Sequence, residues 1–366
     1  MNVLDYLKWR GDIPFSVSPF NDIDNIILTE FPYLNWAGII TERPITLEEA
    51  ISHDEPVTFD STLKTRRQET VIRACKCERF KHVEAFRYVK DFSAEQEKQF
   101  CAMSFKLPDR TYYISYCGTD STITGWKENF NMTYMMPVPA QEEAASYLKK
   151  VVTRRLGLFR VGGHSKGGNL AFYAAVKLGR PDKIIQVYNN DGPGFDKDFL
   201  ESEAYQLMKP KLKTFLPESS IVGRLLNDDS NVTIVKSLTY DIFWQHSPQM
   251  WDVDVTKLTE VKDPSLRSDM FNGLMDDWND GLSNEDKLFF INTVHDTLTE
   301  MNIKTSDELL RHPTKVISSV LAKVQKMDDD KKKIMSDVMN TFLKSFRKNY
   351  IGRLLGGKSD ENTGVE

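Results

Sequence analysis

Leu158-Phe159-Arg160-Val161-Gly162-Gly163-His164-Ser165-Lys166-Gly167-Gly168-Asn169-Leu170-Ala171 decides the fold. Leu158 to Gly162 reads as a short strand. It ends in a cluster of glycines around His164 and Ser165. Beyond the cluster, Leu170, Ala171, Ala174, Ala175 and Leu178 recur at helical spacing, and Gly179 stops the helix from Asn169 to Leu178. Upstream, Gln141 to Leu156 carries a helical stripe through Ala144, Ala145, Leu148, Val151 and Val152. Downstream, Lys183 to Asn189 reads as another strand, ending at Asp191-Gly192-Pro193-Gly194. Helix, strand, turn, helix, strand is the order of a parallel sheet with crossover helices, an α/β fold.

Further out, Phe100 to Leu107 alternates apolar and polar residues. Pro108-Asp109-Arg110 makes a turn, and Thr111 to Cys117 is rich in aromatic and β-branched residues, which together predict a hairpin. Val232 to Val235 is a further strand candidate. Residues 1 to about 60 mix apolar clusters with turn residues and read as short helices packed on a larger body, with a helix starting near Thr46. From about Pro264 strand patterns disappear. Ser306 to Arg353 is charged and helical, with Leu309, Leu310, Val316, Ile317, Val320, Leu321 and Val324 expected on buried faces. These patterns predict a main α/β domain over 1–260, a helical region over 261–355 and a disordered polar tail over 356–366.

Composition narrows the function classes. A net charge of −5 over 366 residues argues against a dedicated nucleic-acid binder. Four cysteines in a chain of this length do not make a disulfide scaffold. Cys75-Lys76-Cys77 lacks the ligand spacing and the second pair of a structural zinc site, so no metal is expected. No cofactor motif is evident. The N-terminus lacks an apolar run after a basic start, and no stretch approaches the ~20 apolar residues of a membrane span. The expectation is a cytoplasmic protein.

The chemistry concentrates at the glycine cluster. Gly163-His164-Ser165-Lys166-Gly167 fits G-x-S-x-G in the strand-to-helix context the motif requires. Such a turn strains the serine backbone and lifts its hydroxyl to the carboxyl edge of the sheet, beside the positive end of a helix. Gly163 and Gly167 supply the small neighbours, and Gly168 lets the helix approach the sheet. His164, next to Ser165, is expected to point elsewhere and support the turn. The bland alternative is a solvent-facing serine on a Gly-rich turn. A nucleophilic serine needs a base. His246, in Phe243-Trp244-Gln245-His246-Ser247-Pro248, occupies a loop able to reach the sheet edge, whereas His295 and His312 look like surface or structural residues. For the acid that orients the base, Asp191 is favoured at the strand end, with Asp228, Asp229 and Asp241 as alternatives. The bland reading of Asp191 is an Asx-turn residue. Two oxyanion donors are expected, the Lys166 amide and Thr119, whose amide and hydroxyl follow Gly118 at an earlier strand end.

These residues resemble the lipase class 3 group of α/β hydrolases. Tyr116-Cys117-Gly118-Thr119-Asp120, with Gly125-Trp126 after it, is similar to that group's oxyanion-strand motif, and residues 163–171 to its nucleophile segment. Cys117 stands where Arg is usual. Lys166 stands where Leu is usual, which is expected to put a charge at the mouth of the site. The opening residues 4–12, the run 118–130 and Gln245-His246 are more similar still to a bacterial branch of lipase-like proteins of unassigned function, over roughly residues 1–260. In class 3 lipases the acid lies in an Asp-Ile-Val-Pro-Arg-Leu-like stretch. Here Ser220-Ile221-Val222-Gly223-Arg224-Leu225 matches it, with Ser220 in place of Asp. Either the acid has moved to Asp191, as in pancreatic-type lipases, or the triad is degenerate.

The resemblance implies a carboxylic-ester hydrolase working through an acyl-enzyme on Ser165, with a small acyl ester or lipid-like molecule as substrate. The competing reading is a hydrolase-fold binding or scaffold protein. A third feature is a basic amphipathic stretch in which Phe342, Leu343, Phe346, Tyr350, Leu354 and Leu355 interleave with Lys344, Arg347, Lys348 and Arg353. It is suited to contact with an anionic membrane surface or, more simply, to packing on the body.

Overall fold

The computed structural model describes the chain except residues 54–61, 94–97, 120–122, scattered positions between 266 and 280, 304–307, 309–311 and 357–366. Eight strands form one sheet in strict sequence order: β1 (Ile45–Thr46), β2 (Glu84–Ser93), β3 (Lys98–Lys106), β4 (Tyr112–Tyr116), β5 (Phe159–His164), β6 (Ile184–Asn190), β7 (Leu212–Pro217) and β8 (Asn231–Val235). The first four pair antiparallel and β4 to β8 pair parallel, with Ile114 opposite Val161 and Val161 opposite Val187.

Parallel strands laid down in sequence order, joined by right-handed crossovers, send every crossover helix to the same face. The crossover helices must therefore be covered on one side only, and the opposite face needs another layer. The N-terminal segment supplies it. Helices α1 (Val3–Arg10), α2 (Asp22–Glu30), α3 (Leu47–His53) and α4 (Thr62–Lys76) precede the main strands. Helices α5 (Ile123–Asn131), α6 (Pro139–Arg154), α7 (Lys166–Leu178), α8 (Lys197–Glu201) and α9 (Glu203–Met208) lie between strands.

Two core clusters follow this division. One gathers Tyr147, Leu148, Leu170, Ala174 and Tyr205 from α6, α7 and α9 against Ile114, Val161 and Val187. The other gathers Tyr6, Ile23, Ile26, Ile27 and Val71 from α1, α2 and α4 against Met103, Tyr113, Tyr188 and Phe215. Ile114 and Tyr113, or Val187 and Tyr188, are consecutive residues in different clusters, as the two-residue period of a strand demands. A buried Arg79–Asp24 ion pair ties the N-terminal layer together, with Arg79 also donating to the carbonyls of Ile13 and Ser18.

Among the described residues after β8 lie the four-residue helix α10 (Ile242–Gln245) and the longer helices α11 (Asn284–Glu300), α12 (Pro313–Gln325) and α13 (Asp329–Gly356). Leu225, Met275, Trp278, Ile291 and Val338 form a further cluster with Phe130 of α5 and Val222. The C-terminal helices are thus seated on the main body. Among the residues expected to be buried on α12, Val316 is, but Ile317 and Leu321 are 60% and 51% exposed. A single apolar stripe of this amphipathic helix meets its neighbours, and the flanking apolar residues face water. Leu309, Leu310, the side chains at 342, 343, 346–348, 350 and 353–355, and the 357–366 tail lie outside the described residues.

Candidate active site

Ser165 ends β5 and caps α7 with φ 58° and ψ −136°, a conformation few L-residues adopt. The surroundings enforce it. A Cβ on Gly163 would sit 2.2 Å from the Gly167 backbone, and one on Gly167 would sit 2.2 Å from the Tyr116 carbonyl oxygen. The turn therefore closes only around glycines. Gly168 is packed against Asn189 of β6, where a Cβ would lie 2.0 Å from Oδ1, so the helix comes down onto the sheet as its glycine implied. The Ser165 N–H donates to the Asn190 carbonyl at 2.9 Å, which hooks the turn onto the end of β6.

Asp191 follows that strand end and is fully buried. Its N–H donates to the Phe215 carbonyl of β7 at 2.8 Å. Oδ2 lies 2.7 Å from His246 Nδ1. Oδ1 accepts from the Ser220 hydroxyl and, at 3.3 Å, from the Gly223 N–H. A carboxylate only accepts, so the His246 proton resides on Nδ1 and Nε2 is left as a lone-pair acceptor. Ser220, where the resembling lipases carry their acid, is here a donor to the acid. The Asx-turn role considered for Asp191 belongs instead to Asn189, whose Oδ1 accepts the Gly192 N–H at 2.8 Å. The other acids considered are engaged elsewhere: Asp228 with Thr214, Asp229 with Lys209, and Asp241 with the Trp244 N–H at the start of α10.

His246 follows α10 and is held from several sides. The adjoining Gln245 side chain accepts from the Ser219 N–H and donates to the Thr239 carbonyl. The His246 carbonyl lies 2.8 Å from His164 Nε2, and the two imidazoles stand 4.7 Å apart between centroids. His164, expected to support only the turn beside it, thus also reaches the loop that bears His246. Burial, with nearby His246 and Arg67, holds the His164 pKa well below the ordinary 6.5, so its ring is neutral. His295 lies on α11, and His312 is the residue before Pro313 at the start of α12.

On the opposite rim, a Cβ on Gly118 would lie 2.8 Å from the Ser165 Cβ, which puts the end of β4 directly beside the nucleophile turn. The Thr119 hydroxyl donates to Asn129 Oδ1 at 2.8 Å. That hydroxyl hydrogen is committed to Asn129, against the expectation that the hydroxyl is free for the site. Asp120 and the side chain of Trp126 lie outside the described residues. Lys166 starts α7, where first-turn N–H groups have no intrahelical partner. Its side chain does not place a charge at the mouth of the site. It is fully buried, ion-paired with Glu128 of α5, and donates to the Gln99 carbonyl at 2.8 Å. An ammonium there is stable only because a carboxylate and a carbonyl receive it. Cys117, at the position of the usual Arg, is buried, and burial pushes its thiol well above the ordinary range.

Sequence reasoning missed Tyr33, which follows α2. Its hydroxyl accepts the Gly118 N–H at 2.9 Å and lies 3.1 Å from His164 Nδ1. It also missed Ser268, whose hydroxyl donates to the Ser220 carbonyl at 3.0 Å from the C-terminal region. No motif surrounds either residue, so only their positions in space reveal them.

A mostly parallel sheet with a strained serine at the strand-to-helix turn, and a buried aspartate at the next strand end that is hydrogen-bonded to the histidine after α10, make an α/β-hydrolase-like fold. The chain belongs to the Mbeg1-like family, whose model matches residues 74–296, more than half of the sequence. Among solved structures, it is similar to the Rhizomucor miehei lipase in complex with its propeptide, at 19% identity and a TM-score of 0.29 over 39% of this chain and 51% of that one. It is also similar to M37 lipase, at 16% identity and a TM-score of 0.34 over 54% of this chain and 68% of that one. The chain thus spans about half the length of the first of these. No curated protein matches it. No described helix is long and apolar enough to cross a membrane.

Proposed function

We propose that the protein is a serine hydrolase of carboxylic esters, with a small acyl ester or a lipid-like molecule as substrate. The observation that carries this reading is the Asp191–His246 hydrogen bond of 2.7 Å beside the strained Ser165 turn. Asp191 holds the tautomer in which His246 Nε2 can take a proton, the role of the acid in a serine triad. Ser165 Oγ attacks the ester carbonyl and its proton passes to Nε2. The amides of Thr119 and Lys166 receive the developing oxyanion, each such donor contributing about 2.7–4 kcal/mol to the barrier reduction. The carbonyl–oxygen bond to the leaving group then breaks, and His246 returns the proton to give an alcohol and an acyl-Ser165. Water attacks next, His246 takes its proton, and the carboxylic acid leaves as Ser165 is reprotonated.

The reading is tested with a fluorophosphonate, which phosphonylates an activated serine and loses fluoride. The wild-type protein is expected to label. Ser165→Ala should not, and Asp191→Asn should label about 10³–10⁴ times more slowly with its fold intact, since the amide favours the wrong tautomer. An unlabelled wild type, or an equally labelled Ser165→Ala, refutes it in favour of a binding or scaffold protein.

A further inference from the structure

We propose that Tyr33 and His164 form a hydrogen-bond relay from the end of β4 to the main chain of His246, making both of them positioning residues for the base. The inference rests on the reading of His246 as that base. Four contacts make three successive links, the middle one double. The Gly118 N–H donates to Tyr33 Oη at 2.9 Å. Tyr33 Oη lies 3.1 Å from His164 Nδ1 and donates to the His164 carbonyl at 3.1 Å. His164 Nε2 lies 2.8 Å from the His246 carbonyl oxygen.

Elementary donor counting fixes every proton in this chain. The His246 carbonyl accepts only, so His164 Nε2 carries a hydrogen. The ring is neutral, so Nδ1 carries none and is an acceptor. The single Tyr33 hydrogen is therefore shared between His164 Nδ1 and the His164 carbonyl, while its lone pair receives Gly118. Tyr33 thus supports, at Nδ1, the His164 tautomer that the His246 carbonyl requires at Nε2. It is itself fixed from behind. The Arg67 guanidinium stacks 3.8 Å from the centroid of its ring and pairs with buried Glu30. The first link requires a glycine at 118, because a Cβ there would lie 2.4 Å from Tyr33 Oη and 2.5 Å from the His164 carbonyl. Simple filling of space behind a nucleophile turn needs no such set of directional bonds. Their joint effect is that the strand flanking the oxyanion side and the loop bearing the base are held by one pair of side chains.

Two substitutions at one position separate positioning from packing. His164→Gln can present an amide N–H near the place of Nε2, whereas the shorter His164→Asn reaches only the place of Nδ1. The relay predicts that His164→Gln labels with fluorophosphonate within about threefold of wild type. His164→Asn is expected to have kinact reduced about 10- to 100-fold with KI unchanged, the penalty expected for a misplaced base. Equal rates for the two variants overturn the relay.

Imidazole ¹⁵N NMR reads the same chain without turnover. Wild type should show neutral His164 protonated on Nε2, and Tyr33→Phe should shift the Nδ1 resonance, which loses its hydrogen-bond partner. His164 protonated on Nδ1 in wild type, or unchanged His164 nitrogen shifts in Tyr33→Phe, overturns the relay whatever the kinetics. If wild type takes no label, the nucleophile reading fails by itself and NMR alone decides the relay. If His164→Asn does not fold, the Tyr33→Phe spectra decide it.

Discussion

Ser165 and Asp191 both sit at positive φ, 58° and 53°, at the ends of adjacent strands. Aspartate tolerates the left-handed region better than most residues, whereas a serine at ψ −136° is held there by its neighbours. Placing both residues at strand ends leaves strand pairing intact while turning two functional groups toward the same edge. His164 carries a cost of its own. Its folded pKa is well below 6.5, so the unfolded chain binds a proton below about pH 6.5 that the folded chain refuses. Unfolding then takes up protons and stability must fall as pH falls, by at most about 1.4 kcal/mol per pH unit for this one group, with no contribution above that window. His164→Gln should accordingly show a shallower loss of stability between pH 6.5 and 5 than wild type, measured by chemical denaturation at each pH.

At the scale of elements, α7 and α5 are bolted together. Glu128 of α5 receives Lys166 of α7 and also accepts the Gln99 N–H of β3 at 3.1 Å. Asn129 on the same helix receives Thr119. The pair is fully desolvated, so removal of one partner leaves an uncompensated charge. Lys166→Met alone is expected to cost about 3–5 kcal/mol in denaturant unfolding. The combined Lys166→Met and Glu128→Leu change should recover most of that loss, since an apolar pair of similar volume is often neutral. A double variant no more stable than the single one would show that the Gln99 and Glu128 hydrogen bonds matter more than the charges.

At the scale of the molecule, the C-terminal helices belong with the site. Ile291 and Val338 pack with Leu225 and Val222, next to the Gly223 amide that binds Asp191, and with Phe130 next to Glu128 and Asn129. Ser268 holds the carbonyl of Ser220, whose hydroxyl donates to Asp191. The family match likewise runs through residue 296, into α11. A chain ending at residue 263 should therefore melt lower than the full chain and bind the dye ANS through the uncovered apolar cluster. A truncated protein with unchanged melting and no dye binding would make these helices an independent appendage.

The crossover half of the fold was legible because its signals are local. A short strand, a glycine turn and an apolar helical stripe lie within residues 158–178, and steric rules allow that run few other shapes. Strands β2 and β7 escaped notice because Glu84–Ser93 is half polar and Leu212–Pro217 is short, so neighbouring strands decide their state. Asp191 and His246 could be chosen from their chain positions, but their bond spans 55 residues and depends on how β6, β7 and α10 are stacked. Lys166 misled because residue type marks a charge without telling which way its side chain points. Tyr33 and Ser268 carry no local signal at all, and Ser220 was visible only as the residue standing in place of an acid, not as a donor to Asp191. Sequence by itself determined the strained turn and its serine, since those follow from backbone sterics over a few residues. Tertiary structure alone decided which distant groups meet that serine's neighbours, because hydrogen bonds between remote segments exist only once the layers have packed.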